Sequence, residues 1–257
     1  MGKWAPFPHP GEFDLSPEDV RARWGRLHAG DAEPLPADEA VLNAWTLFHR
    51  GEFHKAVEAG LKARGDGITV ANKATCIYAT YLEKKEKARL ELFQEVAQRA
   101  EAQAQREPRN AAAWYMQGYS LGRYSQGISV AKALAQGLGG KVKDSLEQAI
   151  KLNPRHAEAH LALGAFHAEV IDKVGALIGG MTYGAKRETG LKLFQEALRL
   201  HPQSAIGLIE YANGLVMLEG ESKMAEATAL YERAASMDPA DAAERLNVAL
   251  AQAELQE

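Results

Sequence analysis

Three histidines fall within twelve residues, at His156, His160 and His167. On a helix the first two, four apart, would share one face at a spacing that can chelate zinc. His160, however, stands where a helical repeat takes a large packing residue, and His167 follows about two turns later. The expectation is packed histidines and no metal site. Residues 135–141 read AQGLGGK and invite comparison with a phosphate-cradling loop. Such a loop needs glycine where Ala135 stands, Ser or Thr where Val142 stands, and a preceding strand. All three are missing from the sequence, so nucleotide binding is not expected. No Ser/His/Asp or Cys/His spacing suggests a nucleophile, and the acids lie on mixed-charge helix surfaces. The expectation is a protein with no catalytic residues, no cofactor and no enzymatic activity. Tyr115, Tyr119 and Arg123 are different. At i, i+4 and i+8 they share one helix face, and their chemistry is that of binding: ring area, polar tips and a guanidinium.

Those side chains need helices to hold them. The segment of residues 1–36 is rich in Pro and Gly and carries Trp4, Phe7, Phe13 and Trp24. Disordered tails are poor in aromatics, so this arm is expected to pack on the rest and to cap its first helices. Ser16, Pro17, Glu18 and Asp19 predict one short helix within it. Residues 37–257 read as helices throughout, with apolar residues at three- and four-residue spacing. No stretch alternates as a strand would.

The breaks between helices recur with matching flanks. Leu146, Ala149 and Pro154 stand at spacings of three and five, as do Phe194, Ala197 and Pro202, and Tyr231, Ala234 and Pro239. Trp114 and Gly118 follow Pro108 at the offsets at which His160 and Gly164 follow Pro154. Small residues let antiparallel helices approach, large ones fill the space beside them, and proline ends the second helix. This grammar resembles that of the tetratricopeptide repeat, which implies an all-α, right-handed solenoid of about five helix pairs with a concave groove. In that geometry Tyr115, Tyr119, Arg123, Glu158 and Glu169 face the groove and are the candidate residues for binding a protein or peptide. The lysines and asparagines with which some relatives clamp chaperone C-termini are replaced here by Tyr115, Tyr119, Glu158 and Ala162.

Successive prolines from Pro108 are 46, 48 and 37 residues apart, against about 34 in a standard repeat. Two repeats therefore carry insertions, at about residues 126–139 and 172–185. Both are poor in charge and place small residues four apart, as at Ala131 and Ala135 or Gly175 and Gly179. They are expected to pack small face to small face. Alternatively, a cleft between them, lined by Ile128, Leu134, Leu177, Met181 and Tyr183, would bind a small apolar ligand. Paired insertions of this kind resemble those of the regulator of microtubule dynamics family. QGI at 126–128, EQAIKLNP at 147–154, HLALG at 160–164, YGA at 183–185 and FQEA at 194–197 carry the resemblance. It does not extend to the membrane anchor of the eukaryotic members, and no link to microtubules is carried over. A more distant similarity is to the T-component solenoids of TRAP transporters.

The whole chain limits the partners further. It has 257 residues, a formal charge of −4 and one cysteine, Cys76. There is no disulfide framework, and a reducing, cytoplasmic setting is the simplest expectation. No long basic run points to nucleic acid or to an anionic membrane. The longest apolar run, residues 174–181, is too short to insert across a membrane, which takes about 20 residues. A non-enzymatic scaffold, as a monomer or a homo-oligomer, is the reading these features imply.

Overall fold

The computed structural model describes residues 4–256; residues 1–3 and 257 of the expected segments lie outside them. The described residues form helices and no strand. Two short helices, α1 (Pro17–Ala22) and α2 (Trp24–Leu27), occupy the arm where one was expected. Ser16 and Asp19 close a reciprocal capping box ahead of α1, which satisfies backbone donors at the helix start. The break comes at Arg23, whose dihedrals leave the helical region.

Five pairs follow. They are α3 (Glu39–His49) with α4 (Phe53–Ala63), α5 (Gly67–Tyr81) with α6 (Glu86–Arg106), and α7 (Ala111–Gln126) with α9 (Leu138–Leu152). Next come α10 (Ala157–Val174) with α12 (Arg187–Leu200), and α13 (Ala205–Glu219) with α14 (Met224–Ala235). The insertions are α8 (Val130–Ala135), between α7 and α9, and α11 (Ala176–Tyr183), between α10 and α12. A last helix, α15 (Ala242–Glu254), completes the array. Side-chain caps start many of these helices: Asp38, Asn110, Ser129, Ser204 and Asp241 each accept a backbone N–H of the first turn, the usual remedy for orphan donors.

The repeat grammar has a direct steric cause. The Phe194 ring is fully buried between two glycines: a Cβ on Gly164 of α10 would lie 3.2 Å from it, and one on Gly214 of α13 only 2.3 Å. Leu146 fills the space over Gly118 in the same way. The tightest backbone approach joins α4 to α5, where a Cβ on Gly60 would lie 2.4 Å from the Gly67 carbonyl oxygen. Here the obstacle is backbone, which cannot swing aside. Gly60→Ala is expected to cost about 1–3 kcal/mol, as overpacking does, despite alanine's better helix propensity. Urea unfolding of the variant checks this, and wild-type stability would contradict the close approach.

The ends of the solenoid meet. Ala242 and Leu246 of α15 belong to the same buried cluster as Val20, Trp24, Leu42 and Trp45 from the arm and α3. Arg26 grips Glu244 with two hydrogen bonds, of 2.5 and 2.8 Å; such bidentate pairs are the stronger kind. His49 reaches Asp241 at 2.6 Å, and Arg245 reaches Glu12 at 3.2 Å. The start of the arm is also fixed: Trp4 stacks on Tyr78 at 3.8 Å between ring centroids, and Phe7 packs edge-on to Phe53. The arm therefore covers the first pair and also seals it against the last helix, closing the array into a ring.

Candidate functional site

The first helices of the last four pairs, and α15 after them, present a repeated face to the inside of the ring. Lys73, Ile77 and Tyr81 of α5 stand at i, i+4 and i+8, as do Tyr115, Tyr119 and Arg123 of α7 and Leu161, Ala165 and Glu169 of α10. Ile206, Glu210 and Asn213 of α13 and Ala243, Asn247 and Leu250 of α15 complete the wall. Together they enclose a channel of about 410 Å³, within the range of small-molecule sites.

One end of the channel is plugged by the arm. The Gly30 carbonyl accepts the Glu158 N–H at 2.9 Å, and Lys73 pairs with Asp31 and, at 3.0 Å, with Glu158. A relay of buried groups continues from there: His28 bonds Asp31 at 2.9 Å, its other nitrogen lies 3.2 Å from His49, and His49 bonds Asp241. Burial would raise the Asp31 carboxyl, but His28 and the Lys73 ammonium, both bonded to it, outweigh burial and hold it well below the ordinary carboxylate range. Burial likewise opposes the Lys73 charge, and Asp31 and Glu158 reverse it, leaving the ammonium above its ordinary value. The plug is thus a network of hydrogen bonds centred on the Lys73 ammonium and its two carboxylates.

Beyond the plug the wall carries charges without such pairing. Arg123 is half-buried, its Nε is enclosed without a hydrogen-bond partner, and no ion pair to it occurs among the described residues. Burial disfavours its charge, and Tyr119, Glu210 and Tyr81 more than restore it. Burial lifts the Glu210 and Glu169 carboxyls above their ordinary values. Glu169 accepts a hydrogen bond from Gln126 and faces Lys173 at 3.8 Å. The other end is apolar, with Val130, Leu134, Leu138, Val142, Val174 and Tyr183 around the mouth.

All five residues assigned to the groove, Tyr115, Tyr119, Arg123, Glu158 and Glu169, line this channel. Of the five assigned to a cleft between the insertions, Leu134 and Tyr183 line its mouth. Ile128 packs on the neighbouring core, and Leu177 and Met181 face solvent at 76% and 82% exposure. The reason is the turn at Gly175, whose φ of 82° reverses the chain into α11. Only Gly179 of α11 is then buried, pressed on Val170 of its own repeat, where a Cβ would come within 2.9 Å. The insertions also fail to meet small face to small face. α8 buries none of its residues, and Ala131 and Ala135 are exposed. The contact that does form sets the Tyr183 ring over Gly139, 2.5 Å from a Cβ there.

The histidine cluster is occupied by backbone. His156 Nδ1 accepts the Ala159 N–H, His160 Nε2 donates to the Pro154 carbonyl, and His167 Nδ1 accepts the Lys186 N–H. Among the described residues no group of three or more His, Cys, Asp or Glu could hold a metal. Sequence reasoning missed Lys73, Tyr81 and Glu210. The first two sit in α5, outside the recurring large, Ala and Pro positions, although the spacing of Lys73, Ile77 and Tyr81 repeats that of Tyr115, Tyr119 and Arg123.

A family model described as regulator of microtubule dynamics protein 1-3 matches residues 48–257. No curated protein matches the chain in sequence. Among solved structures, the thermophilic TPR protein TTC0263 of Thermus thermophilus superposes with a TM-score of 0.58 at 17% identity. The match covers 83% of this chain and 97% of that one. It establishes a shared tetratricopeptide-like architecture.

Proposed function

Because the chain belongs to the regulator of microtubule dynamics protein 1-3 family and is a helical-repeat scaffold of tetratricopeptide type, we propose that it is a non-enzymatic, cytoplasmic binding protein whose channel holds a small elongated ligand. The observation that carries this reading is Arg123, a guanidinium with no hydrogen-bond or ion-pair partner among the described residues, on the wall of a channel that is otherwise lined largely by apolar side chains. It suits a ligand with a polar, acceptor-bearing end at Arg123 and an apolar part running toward Leu134, Val142 and Val174. The one thiol on the wall, Cys76, is pushed up to about 12 by burial; it stays protonated and is a poor nucleophile. A second reading is an extended peptide threaded through the same channel. It is favoured by polar groups on the wall, Tyr119 and Glu210, which could serve a main chain.

Native mass spectrometry of the purified protein distinguishes the two by the mass and composition of what leaves with it. Arg123→Met keeps the stem and removes the charge. Hydrogen bonds to charged groups contribute about 1.5–3 kcal/mol, so affinity for the recovered ligand is expected to fall by roughly 10- to 100-fold. The melting temperature should fall little, because Arg123 holds no ion pair, although Glu210 loses the positive charge that opposes the effect of its burial. Unchanged affinity in this variant would sink the assignment of Arg123, and a bare polypeptide mass would count against an occupied channel.

A further inference from the structure

The two insertions and the helix starts that follow them carry a small excess of basic residues, whereas the chain as a whole is acidic. Residues 126–147 contain Lys132, Lys141 and Lys143 against Asp144 and Glu147, and residues 172–188 contain Lys173, Lys186 and Arg187 against Asp172 and Glu188. The chain as a whole stands at −4, so everything outside this face is acidic on balance. Lys143, Lys173 and Arg187 have acidic neighbours in Glu147, Glu169 and Glu219. Lys132, Lys141 and Lys186 have no ion-pair partner among the described residues.

The second insertion is also apolar where it is most exposed. The eight residues of α11 include no charge. Leu177, Ile178 and Met181 share one side of it at i, i+1 and i+4 and are 76%, 58% and 82% exposed. Val130 and Leu134 of α8 are exposed as well and line the channel mouth beside Val174. The Tyr183–Gly139 contact holds the two insertions together. Exposed apolar side chains grouped in this way mark an interaction surface.

We propose that the insertions form a docking surface for an anionic lipid bilayer. The α11 helix would lie in the plane of the interface, with Leu177, Ile178 and Met181 among the acyl chains and the lysines at headgroup level. This is the pattern of interfacial segments that combine an apolar face with basic residues. Eight residues are far short of the roughly 20 that cross a membrane, and no described helix is long and apolar enough to do so. The acidic remainder of the molecule would be repelled by the same surface, which orients the tip toward it. A two-fold contact with a second copy fits less well, because it would set this cationic face against itself. The inference is independent of what the channel holds.

Sedimentation with vesicles tests it. Vesicles of phosphatidylcholine alone are compared with vesicles containing about a third phosphatidylserine, at low and high salt. At about 1 kcal/mol per basic residue near an anionic surface, binding to the anionic vesicles is expected to be at least about tenfold tighter and to weaken with salt. Met181→Asp, and separately Lys132→Glu with Lys141→Glu, should each reduce it by about tenfold or more. All three positions are exposed, so thermal melting reports whether the variants stay folded. Equal binding to both vesicle types, no binding to either, or binding unaffected by Met181→Asp overturns the proposal. So does a wild-type dimer that Met181→Asp dissociates, which would assign the surface to a second copy.

Discussion

A chain lacking residues 1–36 is expected to show no cooperative thermal transition at neutral pH. Phe7, Leu15, Val20 and Trp24 of the arm are buried, and burying each such side chain contributes about 1.5–3 kcal/mol. Their combined loss, roughly 6–12 kcal/mol, is comparable with the whole stability of an ordinary domain, about 5–15 kcal/mol. Electrostatics adds to it. Glu244 loses Arg26, and Lys73 loses Asp31, leaving charges that were neutralised inside the protein. A smaller change keeps the result interpretable. Trp24 packs on His28 and Trp45, so Trp24→Ala should lower stability by about 3–5 kcal/mol while leaving the helices in place. Circular dichroism melts of both variants are the measurement, and wild-type melting of the shortened chain would refute a structural role for the arm.

Acidification should also unfold the protein, through histidines that are held neutral. Burial pushes His156 down to about 4, against the pull of Glu158 and Asp31. Burial also pushes His167 to about 4, helped by Lys143. An exposed histidine takes its proton near pH 6.5. Between about 6.5 and 4 the unfolded chain therefore binds protons that the folded one refuses, and stability falls with pH across that window. Each group is worth on the order of 3 kcal/mol. His28 and His201, lowered by burial, act in the same direction. Glu33 acts against them. Burial, then Asp31, raises it to about 8, so its contribution is present below the ordinary glutamate value and is lost as pH rises toward 8. Glu33 is half-buried, and the solvent that reaches it reduces its effect, so His156 and His167, joined by His28 and His201, outweigh it. Urea unfolding at pH 7.5 and 4.5 should show a loss of several kcal/mol at the lower pH. Glu33→Gln should gain stability at pH 7.5 and fall more steeply. A wild-type curve that is flat or rising toward pH 4.5 would contradict the neutral histidines.

Much of this architecture can be read from residue spacing, because the spacing is steric. Phe194 needs Gly164 and Gly214 beside it, and that requirement produces the recurring large, small and Ala positions. The same periodicity places Tyr115, Tyr119 and Arg123 on the channel wall. What the spacing leaves out is long-range. Nothing near Arg26 or His49 in the chain indicates Glu244 or Asp241, since the contact depends on the summed rotation of five helix pairs. The plug at Gly30 and Asp31 lies in a stretch with no periodicity at all. The insertions depart from expectation for a local reason: the left-handed turn at Gly175 decides which face of α11 is buried, and glycine spacing alone does not reveal the direction of that turn.

The seam also bears on how the protein reaches its shape. Each helix pair is made of contacts between near neighbours in the chain, which form fast. His49 and Asp241 are separated by 192 residues, and Arg26 and Glu244 by 218. Loop-closure entropy makes such pairings late events. An open spiral of pairs therefore comes first and the channel exists only after the last step, so the interior is open to large or slow-diffusing molecules during assembly and restricted to its mouth afterwards.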